Sequence, residues 1–266
     1  TAQAYLDAEG APRDGRRTCV IEPFTSAVIV NNLKGLFVPQ DAIGSQYKKG
    51  MMGRDTGGMD WKMDQNIASH TFGSFAGTAT TSTTAGTGYL TSGWASTSTI
   101  SITSTGAVSL LAGDVITIDG VYAVNPQNRQ AYGSNKLRNF VVKSAASGTG
   151  ATFDVVVSPA VISAGQFQNV TIPSTSTTAT VNFYNKAGAV SPQNIIMHKS
   201  AFALGCADLE LPEGVHFAGR ASDKEIGLSM RVVRQYTINN DSIPTRLDVL
   251  YGWAPLYPEL ACRVAA

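Results

Sequence analysis

The tightest constraint on how this chain folds lies in its last forty residues, where apolar side chains recur at every second position. Ile226, Leu228, Met230, Val232, Tyr236 and Ile238 fall on even numbers, with Arg234 the one break. Gly227, Ser229, Arg231, Val233, Gln235 and Thr237 fall between them. Side chains in a strand alternate between the two faces, so this pattern predicts a β-strand with one buried face. A polar break follows at Asn239, Asn240, Asp241 and Ser242, then Ile243 and Pro244. The alternation resumes at Leu247, Val249, Tyr251 and Trp253, with Arg246 and Asp248 pointing the other way. Two antiparallel strands joined by a turn account for all of it.

At 266 residues the chain is long enough for about two domains. Three segments differ in composition. Residues 1–70 read as mixed α/β. Thr1 to Asp7 reads as the end of a helix, closed by Gly10 and Pro12. Arg17, Thr18, Cys19, Val20 and Ile21 make a short strand stopped by Pro23. Thr25 or Ser26 is placed to cap a helix from Ala27 through Leu33, ended by Gly35. The Gly- and Met-rich residues 50–63 read as an extended loop able to repack.

Residues 71–190 hold only eight of the 39 charged residues: Asp114, Asp119, Arg129, Lys136, Arg138, Lys143, Asp154 and Lys186. Low charge and abundant Ser and Thr also suit a disordered linker. Runs of β-branched and alternating residues at 99–103, 115–118, 140–142, 153–157, 170–172 and 179–183 argue instead for order. Turn signals separate them at 112–114, Asp119-Gly120, 148–150 and Ser158-Pro159. Many short strands at this spacing predict a small β barrel or sandwich. In residues 191–266, Asn194 to His198 reads as a buried strand and Lys199 to Gly205 as a helical turn, before the terminal hairpin. The expected organisation is an α+β domain split in sequence, 1–70 and 191–266, with a β domain at 71–190 inserted into it.

Recognisable chemistry is sparse. His70, His198 and His216 have no other His, Cys or carboxylate at zinc-ligand spacing. Asp55, Asp60 and Asp64 are close in sequence, but not at the alternate positions of a calcium loop. Gly86-Thr87-Gly88 and Gly148-Thr149-Gly150 lack the third glycine and following helix of a dinucleotide loop, and read as turns. No catalytic, cofactor-binding or metal-binding residues are predicted, no cofactor is expected, and an enzyme is not the expected class. Formal net charge is +1, which argues against a dedicated nucleic-acid binder; Arg16-Arg17 and Lys48-Lys49 are the nearest approach to basic clusters. No apolar run reaches the ~18 residues that would span a bilayer, and no secretory leader is visible. Cys19, Cys206 and Cys262 sit among apolar residues, form no C-x-x-C pair, and read as buried small hydrophobes in a reducing compartment.

The wording of the C-terminal strands carries a resemblance. Met230-Arg231-Val232-Val233-Arg234-Gln235-Tyr236, then Asn239-Asn240-Asp241, then Pro244-Thr245-Arg246-Leu247-Asp248-Val249-Leu250-Tyr251-Gly252, closing on Leu256-Tyr257-Pro258-Glu259-Leu260-Ala261, resembles the end of coat proteins of the short-tailed Salmonella phage type. These are major capsid proteins of tailed bacteriophages. Looser matches run through Leu6-Asp7, Gly10-Ala11-Pro12, Ile21-Glu22-Pro23, the run from Gly113 to Ile118, and the run from Lys199 to Leu204. The resemblance implies the tailed-phage capsid fold, an α+β architecture with an axial domain and C-terminal part, and an inserted all-β barrel-like domain. It implies a subunit that builds an icosahedral shell of hexamers and pentamers around phage DNA held without sequence preference. It implies scaffolding and portal proteins as partners, no membrane, assembly in the host bacterial cytoplasm, and a final place in the virion. Against that fold the chain begins after the N-terminal arm, extended loop and long spine helix, and so reads as a fragment or a shortened relative. A second reading comes from composition: a glycan- or receptor-binding β-rich module of a tail fibre or adhesin, with Tyr89, Trp94 and Tyr132 as stacking aromatics.

Overall fold

The computed structural model describes residues 2–33, 58–81, 92–133, 135–172, 178–184, 187–225 and 227–265. The first part of the chain contains α1 (Ala2–Ala8), β1 (Arg17–Ile21), α2 (Pro23–Leu33), β2 (Asp60–Met63), β3 (Ser69–Thr71), β4 (Ser74–Phe75) and β5 (Ala79–Thr81). The middle contains β6 (Ser98–Ser104), β7 (Ala107–Leu110), β8 (Val115–Ala123), β9 (Leu137–Val142), β10 (Ala146–Thr149), β11 (Thr152–Ser158), β12 (Val170–Thr171) and β13 (Thr180–Phe183). The remainder contains β14 (Val190–His198), β15 (Phe202–Ala207), β16 (Phe217–Asp223), β17 (Leu228–Arg234), β18 (Thr245–Asp248), β19 (Leu250–Pro255) and β20 (Ala261–Ala265), with a 3₁₀ turn at Pro258–Leu260.

This composition corrects the α+β expectation. Among the described residues α1 and α2 are the only α-helices, and the architecture is predominantly β. The flanks expected to be mixed α/β are built largely from strands. The physical reason is visible in the sequence: the described segments outside α1 and α2 carry short β-branched runs or period-two alternation, as at Ser98–Ser104 and Val115–Ala123, and not a 3.6-residue apolar period. The chain falls into two compact units, Thr1–Ile196 with Cys262–Ala266, and Met197–Ala261.

In the first unit six strands close a barrel in the order β8-β13-β5-β6-β11-β9, with β9 returning to β8, and β12 adds to the outer side of β8. Every rung is antiparallel. Closure removes the open edges that short Thr-rich strands would otherwise present. Alternate residues point inward, so β6 buries Ile100 and Ile102, β8 buries Ile116 and Ile118, and β11 buries Val155 and Val157. Phe140 of β9 fills the centre and is fully buried. All members of this apolar cluster lie between Phe75 and Phe183 in the chain. Asp119-Gly120 is not the turn its composition suggests. β8 runs through it, and the pairing with β9 shifts register between Thr117 and Tyr122. Gly120 supplies the positive φ of 79° within this irregular stretch. Gly148 likewise lies inside β10, where the Phe153 ring covers the place a Cβ would take.

A second sheet runs β2-β1-β14-β20, with β3 also paired to β14. β2 lies parallel to β1, Thr18 opposite Asp60 and Ile21 opposite Met63. Residues 60–63 are therefore strand where a loop was expected; residues 50–57 and Gly35 lie outside the described residues. α2 starts at Pro23, four residues earlier than the capping pattern suggested. Proline's fixed φ and missing N–H suit the first helical position. α1 ends on a pair of backbone bonds, Ala11 N–H to Leu6 O (2.9 Å) and Gly10 N–H to Asp7 O (3.1 Å), with Gly10 at φ 77°. Left-handed glycine and the 6→1 and 5→2 bonds together terminate the helix.

In the second unit β15 pairs with β19, and β16-β17-β18 form a three-stranded antiparallel sheet. The terminal hairpin is present as β17 and β18, with Arg234 opposite Thr245 and Arg231 opposite Asp248. Asp241, at φ 45°, helps turn the chain. Three expectations fail here. Residues 202–207 form a strand rather than a helical turn, because Phe202 and Leu204 continue a period-two pattern. The even-numbered face of β17 is also not uniformly buried: Leu228 and Met230 are exposed, and beyond the strand so are Tyr236 and Ile238. Trp253, read as part of the hairpin, belongs to β19 and pairs with β15 instead.

Candidate functional site

Among the described residues no group of three or more His, Cys, Asp or Glu is gathered as a metal site. The notable features are a tightly bonded junction at the mouth of the barrel and an apolar surface on the second unit.

The junction is built where the chain enters and leaves the barrel. Phe72 N–H donates to Ala189 O at 2.8 Å, and Gly188 N–H to Gly73 O at 3.2 Å. These bonds extend the β3–β14 ladder, in which Val190 faces Thr71 and Ser191 faces His70. Next to this pair sits Asp114, whose side chain is only 7% exposed. Its carboxylate accepts from Leu111 N–H (2.8 Å), from Gly73 N–H (3.1 Å) and from His70 Nε2 (2.9 Å). A buried carboxylate is tolerated only with its lone pairs occupied, and three donors occupy them here. Gly73 must be glycine for the approach to work: a Cβ there would lie 2.0 Å from Ser109 O and 2.7 Å from Asp114 Oδ2. His70 also meets Phe72 edge-on, with ring centroids 4.8 Å apart. Arg263 of β20 donates to Gly113 O. Burial pushes its guanidinium below the ordinary value, opposed by the nearby Asp114 charge.

α1 is pinned to the barrel from the other direction. Tyr132 O–H donates to Ala8 O, Arg138 pairs with Glu9, and the Lys136 ammonium sits 3.2 Å above the Tyr5 ring centroid. Beneath α1, Arg17 is fully buried. It donates to Pro12 O (2.9 Å) and Ala11 O, and its Nη1 lies 2.8 Å from Asp7 Oδ1, close enough for an ion pair but outside hydrogen-bond geometry. A hydrogen bond from Arg13, aided by Arg17, holds the Asp7 carboxyl down at about 2, against the opposing effect of burial. Of the two basic pairs in the sequence, Arg17 is thus structural, and Lys48-Lys49 lies outside the described residues.

The cysteines are free. Cys19 is buried, and burial pushes its thiol up to about 12. Cys206 and Cys262 are only half-buried, contrary to the uniform burial expected of them. His198 is buried, and its Nδ1 accepts from Ser200 N–H at 3.2 Å. His216 Nδ1 accepts from Tyr236 N–H at 3.2 Å. Asp64 accepts from Asn66 N–H within a turn, Asp60 lies in β2, and Asp55 is outside the described residues. Of the aromatics suggested for glycan stacking, Trp94 is exposed, the Tyr132 hydroxyl is committed to α1, and Tyr89 lies outside the described residues.

The second unit carries the apolar surface. Phe202, Leu204, Phe217, Leu247, Tyr251, Trp253 and Tyr257 are all exposed, Trp253 by 80%. Exposed large apolar residues at this density in the unit Met197–Ala261 are more than the single scattered ones usual on a protein surface. Within the unit, Arg231 and Arg246 both pair with Asp248. The hydrogen bond from Arg231 leads in holding the Asp248 carboxyl below its ordinary value.

A barrel fastened to a sheet-rich flank, and a unit rich in exposed apolar side chains, suit a protein that assembles. A family model described as P22 coat protein, gene protein 5, matches residues 1–263. The chain belongs to the P22 coat protein family. The match covers nearly the whole chain, so the resemblance seen in the terminal strands extends through the barrel as well. As a P22-type coat protein it is a major capsid protein of a tailed bacteriophage, a structural component of the virion. The tail-fibre or adhesin alternative finds no support in the comparison. No curated protein matches the chain in sequence.

Proposed function

We propose that this coat protein is a shell subunit in which residues 1–70 and 191–266 form the tiling scaffold and residues 71–190 are an inserted barrel that stabilises it. The observation that carries this reading is the bonded pair of crossings at Phe72–Ala189 and Gly73–Gly188. A module that leaves and re-enters its host through adjacent residues disturbs the host little. The Asp114 junction and the α1 contacts give the barrel a means of stabilising its flanks. Repeated copies form hexamers and pentamers, with scaffolding and portal proteins as partners during assembly in the host cytoplasm and packaged DNA met only as a polyanion. No active site is assigned.

Two experiments test this. Replacing residues 72–188 by a short Gly-Ser linker is expected to leave a soluble remainder of lower melting temperature; an unchanged melting temperature refutes the stabilising role. Co-expression of the full chain with a phage scaffolding protein is expected to yield closed shells in negatively stained electron micrographs. Soluble monomers alone at high concentration refute the assembly role.

A further inference from the structure

Two Asp-Gly pairs occur in the chain, Asp14-Gly15 and Asp119-Gly120. An aspartate carboxyl is most open to attack by the next backbone nitrogen when glycine follows, because glycine has no Cβ to crowd the approach. A fold permits or forbids that reaction by how tightly it holds the nitrogen and the carboxyl.

At Asp119-Gly120 the ladders let go. β8 pairs with β9 up to Thr117 opposite Asn139, and again at Tyr122 opposite Leu137. Ile118, Asp119, Gly120 and Val121 therefore share the single residue Arg138 as their counterpart. The register with β13 reaches β8 only to Ile118, and that with β12 covers Tyr122 and Ala123. Asp119, Gly120 and Val121 thus fall outside all three registers. An irregularity of this kind disrupts the ladder locally and leaves the extra residues unpaired. Ile118 and Val121 are buried and anchor the bulge at both ends. Asp119 between them is exposed. Gly120 has φ 79°, and a Cβ there would meet nothing within 4 Å, so the attacking nitrogen is uncrowded. From β13, Asn182 Nδ2 donates to Asp119 Oδ1 at 2.7 Å. That donor also faces the negative charge that develops on Oδ1 when a nucleophile adds at Cγ. Asp14 differs: its carboxylate is turned to Arg16, whose N–H lies 3.1 Å from Oδ1 and whose Nε lies 3.8 Å from Oδ2.

We propose that Asp119-Gly120 is a site of spontaneous isomerisation in the folded chain, passing through a succinimide to isoaspartate. The Gly120 nitrogen adds to Asp119 Cγ of the protonated carboxyl, so the N–Cγ bond forms and the Cγ–Oδ2 bond breaks. Oδ2 leaves as water, carrying its own proton and the one from the Gly120 nitrogen. A second water then opens the ring at the main-chain carbonyl of Asp119, and the chain now runs through Cγ. One water is released and one taken up, so no oxidant or cofactor is required. The product has one extra methylene in the backbone of β8 and a free carboxyl on Cα. β8 is the strand that β9, β12 and β13 all pair with, so the added atom loosens barrel closure as the chain ages.

The experiment stores the full chain in neutral buffer, native and in urea. Both samples are then digested, and the peptides are sequenced by electron-transfer dissociation, which separates isoaspartate from aspartate by its backbone fragments. The expected result is isoaspartate accumulating at residue 119 in the native sample at a rate comparable with that in urea. Aspartate retained at 119 in the native sample, or isoaspartate at Asp14 alone, overturns the proposal. Asp119→Glu provides the second arm. Its longer side chain cannot close the five-membered ring, and its surface position leaves the fold intact, so the fresh variant should melt with the parent. After storage the parent's melting temperature should fall while the variant keeps its own. Equal falls in both would place the damage elsewhere and sink the loosening of the barrel.

Discussion

Replacing Asp114 by alanine removes the acceptor that holds three donors at the barrel mouth. Two of the donors are the backbone N–H groups of Leu111 and Gly73, and the third is His70 Nε2. A hydrogen bond to a charged group is worth about 1.5–3 kcal/mol, and a buried donor left without a partner costs about 1–3 kcal/mol. The His70 side chain is 17% exposed and recovers part of its loss through water. Counting the Gly73 bond in full and the Leu111 and His70 bonds at a discount, the substitution costs about 3–5 kcal/mol. In a unit of this size each kcal/mol lowers the melting temperature by about 2–4 °C, so a fall of roughly 6–20 °C is expected by circular dichroism. Native-state hydrogen exchange should locate the damage, with the Gly73 and Leu111 amides losing protection before Ile102 or Val155 at the barrel centre. A melting temperature within 2 °C of the parent, or unchanged exchange at Gly73, would show that the carboxylate does not fasten the junction.

Other perturbations follow from the same geometry. Gly73→Ala forces a Cβ against Ser109 O and should destabilise by an amount similar to Asp114→Ala, read from urea midpoints; a neutral effect would refute the close approach. Asp7 is held at about 2 against an ordinary 3.8, so its pairing stabilises the fold above about pH 4 and is lost as pH falls from there toward 2. With that side chain 30% exposed, Asp7→Asn should cost about 1–2 kcal/mol at pH 7, and the gap to the parent should close near pH 2; a gap independent of pH would sink the assignment. Cys19 should resist thiol reagents in the folded chain at pH 8 and react on unfolding, and prompt native labelling would contradict its burial. Phe140→Ala should cost about 3–5 kcal/mol in barrel stability; a loss below 1 kcal/mol would mean the centre collapses around the gap.

The barrel was legible because its signals are local. Residues 99–103, 115–118 and 153–157 alternate strongly enough to name three of its strands, and each appears with ends moved by a few residues. Closure was not legible, since the β5–β13 pairing sets Thr80 against Thr180 and Ala79 against Val181, strands far apart in the chain with nothing local to mark them as neighbours. The overestimate of helix had two sources: the fold implied by the resemblance, and the reading of Lys199 to Gly205 by composition rather than by the alternation of Phe202 and Leu204. Alternation at Leu228 and Met230 was read as one buried face, yet both are exposed and Ser229 between them is buried. Alternation reports which residues share a face, not which of the two faces is covered. The Asp114 junction left no trace in sequence because His70 and its partner are 44 residues apart, and Gly73, whose missing side chain permits the close approach, resembles any loop glycine.

On the proposed reading of the barrel as an insert, the doubled crossing at Phe72–Ala189 and Gly73–Gly188 has a consequence for how such shells diversify. Adjacent strands stand about 5 Å apart, so the host sheet meets whatever is threaded between these residues as a gap one strand spacing wide. A replacement of any size whose own ends lie that close together leaves the host register untouched. The passage between host and barrel is therefore the natural address for grafting a foreign domain onto the particle.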